Sequence, residues 1–345
     1  MKVGLGLLAI LAAAGTASAQ PQYFVQPASI VSSGGTAISE AGSVTGWQQD
    51  GSLERAFLTH AGDISGSSLP SNDVAIGLDV DLFDTSERVV GRIGAGVTSR
   101  PVLWTSESAA PQVLPYPDSG KDAYGEATAS QQRDHRIAGW VYIGTQSKAT
   151  IWAGKTGVYA RLPADQVDSR FYDLKQVGHA DGYVGYLRTP GSSYRAIMYF
   201  WDYEDNHSWF YLPAIAGWIQ SSAKALNANG VVVGFAMFSD NSTSAVLWNA
   251  AGVVYIPKLP GYTQCYAQSI NNAGWVVGYC GVQFSQHRAF VFDGKRTWDL
   301  TNQVVNGQDW VIQEANDINS KEGTIVGVGT YRGDGQTHAV TLKLQ

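Results

Sequence analysis

Short apolar runs alternate with turns rich in glycine and asparagine along the whole chain. The clearest stretch reads, in order, a turn at 227–230, an apolar run at 231–238, a second run at 245–248, a turn at 249–252 and a third run at 253–259. Both turns have the Asn/Gly composition that β-hairpins require. With the run that precedes it, Ser222 to Leu226, this stretch predicts a unit of four antiparallel strands.

The same unit recurs seven times, and each copy is marked by an apolar run that ends in glycine. Successive markers lie 44 to 49 residues apart, and most are followed by an aromatic residue. A period of this length indicates one structural unit per copy. These repeat glycines are Gly46, Gly91, Gly139, Gly185, Gly234, Gly278 and Gly327.

Two further landmarks follow each repeat glycine. A β-prone run begins 10 to 12 residues later, as at Ala149–Trp152 and Ala289–Phe292, and predicts a third strand. A Leu-Pro pair then closes a further strand in five of the units: Leu69-Pro70, Leu114-Pro115, Leu162-Pro163, Leu212-Pro213 and Leu259-Pro260.

Four antiparallel strands repeated at this period are the signature of a β-propeller. We therefore predict an all-β fold, a seven-bladed β-propeller of four-stranded antiparallel blades. The seventh unit ends at Leu344 after its third strand, while Tyr23–Gln26 is a β-prone run without a unit of its own. We expect this N-terminal strand to complete the last blade, which closes the ring and removes exposed strand edges. An open β-solenoid, the alternative, gives no reason for this complementarity.

The first 19 residues predict a secretory signal peptide. Lys2 precedes an apolar run from Val3 to Ala14, and Ala17-Ser18-Ala19 forms a small-residue cleavage site. A membrane anchor is the alternative, but the run is shorter than the ~20 residues that a span requires. We expect residues 20–345 to form one exported domain, secreted or periplasmic, with no membrane span.

Composition agrees with a large core and excludes one class of partner. The chain is 44% hydrophobic and only 15% charged, with 39 glycines among 345 residues, which favours buried strands joined by many turns. Its net charge of −6 argues against a nucleic-acid partner, which needs phosphate neutralisation. We expect the protein to act as a monomer.

The repeat units of the mature chain resemble the HAF repeats of extracellular bacterial proteins, and the last two units are the best copies. The resemblance is carried by Ile270-Asn271 through Gly278-Tyr279 with His287-Arg288-Ala289-Phe290, and by Ile318-Asn319 through Gly327 with His338-Ala339-Val340. In the second to fourth units the Ile-Asn hairpin is replaced. The resemblance implies an exported repeat protein and implies no reaction, so no catalytic residue is carried over.

Cys265 and Cys280 are the only cysteines and flank a predicted hairpin turn. A hairpin centred between Asn272 and Ala273 places them directly opposite each other. Because exported proteins meet an oxidising compartment, the sequence predicts a cross-strand disulfide. A β-bulge would shift this register, and two free core thiols are the alternative.

Loop lengths predict which face of the ring carries function. The turns between first and second strands, and between third and fourth, are tight, so the face they form, the hairpin face, is expected to be bare. The opposite face, the loop face, receives the loops between second and third strands and the connections between blades, where binding residues concentrate. Five aromatic residues near the starts of the innermost strands are candidates for stacking on a sugar or other planar ligand: Tyr124, Phe171, Trp218, Tyr266 and Trp310. Packing between blades is the alternative for each.

Two other repeated positions are interpreted as structural. A basic residue precedes the third strand in six units, and pairing with carboxylates or rings of neighbouring blades is favoured over capture of an acidic polymer. These residues are Arg55, Arg100, Lys148, Arg195, Arg288 and His338. The repeated tryptophans are interpreted as packing residues: Trp47, Trp104, Trp140, Trp152 and Trp248.

No local motif indicates catalysis, a metal site or a cofactor. The six histidines show no zinc-binding spacing, and a Gly-x-Ser-x-Gly elbow is absent from the sequence. We therefore predict a secreted binding or interaction module that recognises a glycan or a protein surface, and we expect neither metal nor cofactor. One alternative is a scaffold without a small ligand. The other is a polysaccharide hydrolase or lyase at the channel mouth, with candidate residues Tyr124, Glu126, Arg170, Tyr172 and Glu314.

Overall fold

The computed structural model describes residues 20–28, 31–60, 67–71, 73–83, 86–117, 124–131, 135–153, 156–202, 204–214 and 216–345. The predicted signal peptide, residues 1–19, lies outside these described residues. Within them the chain forms seven four-stranded antiparallel sheets, which confirms the predicted seven-bladed β-propeller. Three short 3₁₀ segments lie in the described parts of the connections, at Gly96–Thr98, Phe284–Gln286 and Leu300–Gln303.

The blades follow one another along the chain, and the first strand of each lies innermost, beside the central channel. Blade 1 contains β2 (Ser33–Ile38), β3 (Val44–Asp50), β4 (Leu53–Thr59) and β5 (Ser67–Ser68). Blade 2 contains β6 (Ala75–Phe83), β7 (Ser86–Ile93), β8 (Arg100–Trp104) and β9 (Gln112–Val113). Blade 3 contains β10 (Tyr124–Ser130), β11 (Arg136–Ile143), β12 (Gln146–Ala153) and β13 (Thr156–Tyr159). Blade 4 contains β14 (Asp168–Val177), β15 (Ala180–Arg188), β16 (Arg195–Asp202) and β17 (His207–Tyr211).

The remaining blades have the same organisation. Blade 5 contains β18 (Trp218–Leu226), β19 (Val232–Phe238), β20 (Thr243–Asn249) and β21 (Gly252–Tyr255). Blade 6 contains β22 (Cys265–Ile270), β23 (Val276–Cys280), β24 (Arg288–Phe292) and β25 (Thr297–Asp299). Blade 7 contains β26 (Trp310–Ile318), β27 (Ile325–Tyr331), β28 (Thr337–Leu344) and, as its outermost strand, β1 (Tyr23–Pro27). The apolar core is divided into seven clusters of buried side chains, one between each pair of neighbouring blades.

The N-terminal strand closes the ring as predicted. Strand β1 pairs with β28 over its whole length, from Tyr23 opposite Leu344 to Pro27 opposite Val340. Asn306 holds its other edge, since its Oδ1 accepts the Val25 N–H at 2.8 Å and its Nδ2 donates to the Val25 carbonyl at 2.9 Å. Both edges of the strand are therefore satisfied.

The repeat glycine of every blade faces an irregularity in the inner strand. Each inner strand carries a β-bulge one residue after the position opposite the repeat glycine. A Cβ on any of the seven repeat glycines would come closer than 3.0 Å to the inner-strand carbonyl oxygen two residues before the bulge. Glycine is required because the backbone approaches too closely for a side chain. The bulged residues are Thr36, Leu78, Thr128, Tyr172, Lys224, Gln268 and Asn316.

Hydrogen bonds between neighbouring blades join a repeated tryptophan of one blade to the Leu-Pro pair of the blade before it. The tryptophan at the end of the third strand donates its indole N–H to the proline carbonyl of the preceding Leu-Pro pair. The three pairs are Trp104 with Pro70 at 3.0 Å, Trp152 with Pro115 at 2.7 Å and Trp248 with Pro213 at 2.9 Å. The packing role predicted for these tryptophans is confirmed, since each is at most 2% exposed.

Buried asparagines stabilise the hairpin turns and join one blade to the next. Asn227 Oδ1 accepts the Val231 N–H at 3.0 Å within its own turn, and its Nδ2 donates to the Asn271 carbonyl of blade 6 at 3.0 Å. Asn319 of blade 7 reaches the Ser39 carbonyl of blade 1 at 3.4 Å. The Ile-Asn hairpin motif is thus a structural one in these blades.

Aspartates that directly follow a bulge connect the inner strands of neighbouring blades. Each accepts a main-chain N–H from the next blade with its Oδ2: Asp79 from Ser130 at 2.7 Å, Asp173 from Leu226 at 2.9 Å, and Asp317 from Ile38 at 2.9 Å. In blades 1, 3 and 5 a main-chain N–H of the inner strand, which has no further strand beside it, finds its partner in this way.

The predicted disulfide between Cys265 and Cys280 is confirmed. The two cysteines pair as expected because two deviations from the predicted hairpin cancel each other. The turn pairs Asn271 with Trp275, so its centre lies half a residue later than predicted, and the bulge at Gln268 shifts the pairing back. Cys265 therefore lies opposite Cys280.

Gly185→Ala is expected to destabilise the protein by about 3 kcal/mol, because the new methyl group meets the Arg170 carbonyl and the bulged strand must move. Gly182→Ala, in the same strand, is the matched control, since its Cβ would meet only side-chain methyl groups of Leu226, Val177 and Met198, at 3.0 Å or more. Urea unfolding of both variants measures the difference. Equal unfolding free energies would contradict the steric account.

Asp79→Asn is expected to remove a pH dependence of stability. Burial raises the pKa of Asp79 from 3.8 to about 7, the carboxylates of Asp81 and Asp317 add to this, and the Lys175 cation opposes it. Since the folded state favours the protonated carboxyl, its stabilising contribution is complete below pH ~4 and is lost as pH rises through ~7.

Urea unfolding at several pH values from 4 to 8 measures this effect. The wild type should lose stability over that interval relative to Asp79→Asn, whereas Glu54→Gln, a change at an exposed carboxylate, should follow the wild type. Parallel profiles for wild type and Asp79→Asn would contradict the assignment.

Candidate functional site

A cavity of about 770 Å³ follows the channel from the bulged residues to the turns of the hairpin face. Its lining includes Glu40, Ala228 and Ser320 from three of those turns. The hairpin face, which we expected to be bare, therefore opens onto the channel.

The charged groups of this cavity are engaged with one another and with the backbone. Lys175 Nζ lies 3.8 Å from Asp173 Oδ1, and this carboxylate raises the pKa of Lys175. Asp317 also accepts the Ser269 hydroxyl at 2.6 Å. Among the described residues, no group of three or more His, Cys, Asp or Glu side chains is arranged to hold a metal ion. These contacts give Asp173 and Asp317 structural roles within the fold.

Four neighbouring blades carry a set of ring side chains on their first strands, on their second strands and in the loops before their third strands. Tyr124 and Tyr266, near the starts of first strands, and Tyr194 and His287, in the loops, lie at the loop face. We call this set the aromatic arc: Tyr124, Trp140 and Tyr142 of blade 3, Tyr172, Tyr186 and Tyr194 of blade 4, Phe235 of blade 5, and Tyr266, Tyr279 and His287 of blade 6.

In blade 3 the rings stack and meet a cation from blade 4. Tyr124 is stacked on Tyr142 with centroids 4.7 Å apart, and it meets the edge of Trp140 at 6.1 Å. The Arg170 guanidinium lies 3.9 Å from the Trp140 ring centroid, and its Nε donates to Ser147 Oγ at 3.3 Å. This contact connects the rings of blade 3 to blade 4.

In blades 5 and 6 the rings form an unbroken series. Phe235 meets Tyr266 edge-on at 5.1 Å, and Tyr266 lies 5.3 Å from Tyr279. Tyr279 is stacked on His287 at 4.4 Å, and His287 Nδ1 lies 2.9 Å from a Glu314 carboxylate oxygen of blade 7. Glu314 is therefore paired with a histidine.

A pocket of about 150 Å³ lies inside the arc, between blades 4 and 5. Its volume is below the ~300 Å³ of the smallest typical small-molecule sites, so it accepts one ring or side group of a longer ligand. Three hydroxyl-bearing rings and polar side chains surround the space. The lining residues are Tyr172, Tyr186, Tyr194, Phe235, Gln220, Ser221 and Ser222.

A charged cluster lies beside this pocket. Lys224, the bulged residue of blade 5, places its Nζ 3.6 Å from the Tyr172 ring centroid. Burial lowers the pKa of Lys224 to about 8, the Arg170 cation adds to this and Glu126 opposes it. Burial raises the pKa of Tyr172 to about 12, and Arg170 opposes that shift. Three of the candidate catalytic residues, Glu126, Arg170 and Tyr172, are thus brought together.

The five predicted stacking residues lie in different surroundings in the structure. Tyr124 and Tyr266 are half-buried members of the arc. Trp218 and Trp310 are half-buried first residues of their strands, where Trp218 packs on the core between blades 4 and 5 and Trp310 contacts Tyr331 at 5.1 Å. The binding roles of these four remain predictions.

The prediction for Phe171 is wrong. Its side chain is 0% exposed and packs against Tyr183 and Tyr199 in the core between blades 3 and 4. The bulge at Tyr172 is the reason, because neighbouring strand residues face opposite sides and it is Tyr172 that lines the cavity and the pocket.

Sequence reasoning missed Tyr186, Phe235 and Tyr279. Each directly follows a repeat glycine, so the signal was present as the aromatic residue of the repeat motif. It was interpreted as part of the motif alone. Lys224 carried no sequence signal, because its nearest partner, Tyr172, comes from blade 4.

Five of the six repeated basic residues have partners in or next to their own blade, where partners on neighbouring blades were expected; only Arg195 among these five also meets a ring of the next blade, Trp218, at 5.8 Å. Arg195 lies 3.9 Å from the Tyr211 ring and Lys148 lies 4.9 Å from the Tyr159 ring. The other three pairs are Arg55 with Asp50 at 2.7 Å, Arg288 with Thr301 at 3.0 Å and His338 with Asp334 at 3.0 Å. They form no free cationic ring.

No helix among the described residues combines the length and the apolar character that crossing a membrane would require. No family model matches the chain, and no curated protein matches it. Among solved structures, the fold is similar to the crystal structure of TolB from Acinetobacter baumannii, with a TM-score of 0.48 and 11% identity. The match covers 88% of this chain and 63% of that one, so the chain spans less than two thirds of that structure. A likeness at this level says nothing about ligand or location.

Proposed function

We propose that this β-propeller is an exported binding module that recognises a glycan at its loop face. The observation that carries the proposal is the pocket within the aromatic arc, where three tyrosines and Phe235 surround a space of about 150 Å³. Aromatic faces stack on the apolar faces of sugar rings, and the flanking hydroxyl and amide groups supply hydrogen bonds to sugar hydroxyls.

The shape of the site favours an extended ligand. The pocket takes one sugar unit, while the rings of blade 3 on one side and of blade 6 on the other offer further stacking surfaces along the same face. Gln220, Ser221 and Ser222 provide polar groups between the rings. A chain of sugars lying across blades 3 to 6 uses all three surfaces.

Binding is favoured over catalysis because the candidate catalytic groups are committed to other contacts. Glu126 forms an ion pair with Arg92 at 3.1 Å, and Glu314 pairs with His287 at 2.9 Å. A tyrosine that acts as a base needs a lowered pKa, whereas burial raises the pKa of Tyr172 to about 12. Tyr172 is suited to stacking and to donating a hydrogen bond.

Export is part of the proposal. It is supported by the apolar run and small-residue cleavage site of residues 1–19, by the disulfide, which suits an oxidising compartment, and by the resemblance to the HAF repeats. The motif residues themselves have structural roles, since Asn271 accepts the Trp275 N–H at 3.0 Å.

Tyr194→Ala is expected to weaken glycan binding at least about tenfold, because it removes one wall of the pocket. Tyr255→Ala is the matched control, since Tyr255 is a 47% exposed tyrosine on the outer strand of blade 5. A glycan array with the mature protein identifies the ligand, and titration calorimetry compares the variants.

Two outcomes would contradict the proposal. One is the absence of any retained glycan on the array. The other is release of reducing or unsaturated ends from a retained polymer, which would identify an enzyme instead. If Tyr194→Ala and Tyr255→Ala weaken glycan binding equally, the pocket is not part of the binding site.

A further inference from the structure

Lys224 is a cation at the boundary between the pocket and the channel. It lines the channel cavity, and its Nζ lies 3.6 Å from the ring centroid of Tyr172 and 6.0 Å from that of Phe235. Both rings also line the pocket of the loop face. The ammonium group therefore rests against one wall of the pocket, the Tyr172 ring, and lies near a second, the Phe235 ring.

Lys224 forms no ion pair with any carboxylate of the described residues, and the acids of this region are engaged elsewhere. Glu126 is held by Arg92 at 3.1 Å. Asp168 accepts hydrogen bonds from the hydroxyl groups of Ser147 and Tyr186. The nearest partner of the ammonium within the protein is therefore the face of the Tyr172 ring, while the Glu126 carboxylate, which is paired with Arg92, acts on it without forming an ion pair.

Cations lie against rings next to the pocket without a paired carboxylate. Arg188 lies 5.1 Å from the Tyr194 ring centroid, Arg170 lies 3.9 Å from that of Trp140, and Lys224 lies 3.6 Å from that of Tyr172. None of the three forms an ion pair with a carboxylate of the described residues, although the whole chain carries a net charge of −6.

A half-buried ammonium without a paired carboxylate lacks part of the solvation it has in water, and an anion from a ligand restores it. Arg170 is the cross-strand partner of Tyr186, which lines the pocket, so both cations adjoin pocket walls and an anionic group bound there can interact with them. The pocket adjoins few cations and the overall charge is negative. These facts fit a ligand with a single carboxylate at the pocket better than a dense polyanion.

We propose that the sugar unit bound in this pocket is an acidic sugar, whose carboxylate is held by Lys224 and Arg170. This inference rests on the proposed function, since it names the class of glycan that the loop face recognises. The rings of Tyr172 and Phe235 stack on the sugar, and the two cations select its acid group.

The test compares an acidic probe with its uncharged counterpart. The probes are trisaccharides that end in glucuronic or galacturonic acid and the methyl esters of the same trisaccharides. Wild-type protein should bind at least one of the acids about tenfold or more tightly than its ester. Lys224→Met should weaken binding of the acid about tenfold more than binding of the ester, so that the preference is lost, and Lys224→Arg should retain it.

Lys343→Met is the matched control, since Lys343 is an exposed lysine on the last strand of blade 7. It should bind acid and ester as the wild type does. Far-ultraviolet circular dichroism and the urea midpoint of each variant check that the fold is intact. A structural role for Lys224 alone would weaken binding of acid and ester equally.

The pH profile supplies a second readout. Affinity for the acid should fall as pH rises through about 8, where Lys224 loses its proton. The groups that face Lys224 are Tyr172, Arg170 and Glu126, and Tyr172 keeps its proton up to about pH 12. Affinity for the ester should stay constant over the same interval.

The outcomes separate this inference from the proposed function. Equal affinity for acid and ester, or an acid preference that survives in Lys224→Met, overturns the inference. If the protein binds neutral glycans but none of the four probes, the inference fails and the proposed function stands. If it binds no glycan of any kind, both fail.

Discussion

The fold depends on the close approach of two backbones at the same place in every blade. The inner strand bulges beside the channel, and the carbonyl ahead of the bulge presses against the second strand, where only glycine fits. The bulge leaves inner-strand groups unpaired, and the neighbouring blade satisfies some of them. Thr36 of blade 1 donates to the Gly77 carbonyl at 2.6 Å, and Asn316 of blade 7 donates to the Gly35 carbonyl at 2.9 Å. The feature that marks the repeat in the sequence therefore also holds the blades together.

The same bulges determine what the channel and the loop face can recognise. Each blade presents one bulged side chain at the channel, and its identity varies while the glycine opposite stays constant. In blades 4 and 5 these side chains are Tyr172 and Lys224, which lie against each other beside the pocket. Blade 1 has Thr36 at this position and blade 2 has Leu78, and the aromatic arc does not extend to them. The candidate binding residues are thus confined to blades 3 to 6, although all seven blades share one backbone plan.

The architecture could be predicted because its signals are local and repeated. A glycine at regular spacing, Asn/Gly turns and an orphan strand at the N-terminus each report on backbone geometry within one unit. The bulged residues themselves differ from blade to blade, so no residue pattern in the inner strand reveals the bulge, and its effect on the predictions differs between two sites. For the disulfide, the bulge at Gln268 compensated a half-residue difference in the turn, so Cys265 was paired correctly. For Phe171, the bulge at the next residue reversed which ring faces the channel.

The candidate site could be predicted only in part, because it is built between blades. Tyr124 and Tyr266 were found from their positions near the starts of inner strands. The pocket itself needs Tyr194 from a loop of blade 4 and Phe235 from blade 5, and nothing in the spacing of the sequence brings these together. The partner of Lys224 is likewise a ring on another blade.

The central claim is that ligand binds at the loop face and not at the hairpin face, where the wider cavity reaches the turns. Amide hydrogen exchange of the mature protein, measured with and without a glycan retained on the array, tests it most directly. The account predicts slower exchange in the loop at 189–194 and at the start of β18, with no change in the hairpin turns at 227–230, 271–274 and 319–323. Protection confined to those hairpin turns would contradict it and would assign binding to the channel cavity.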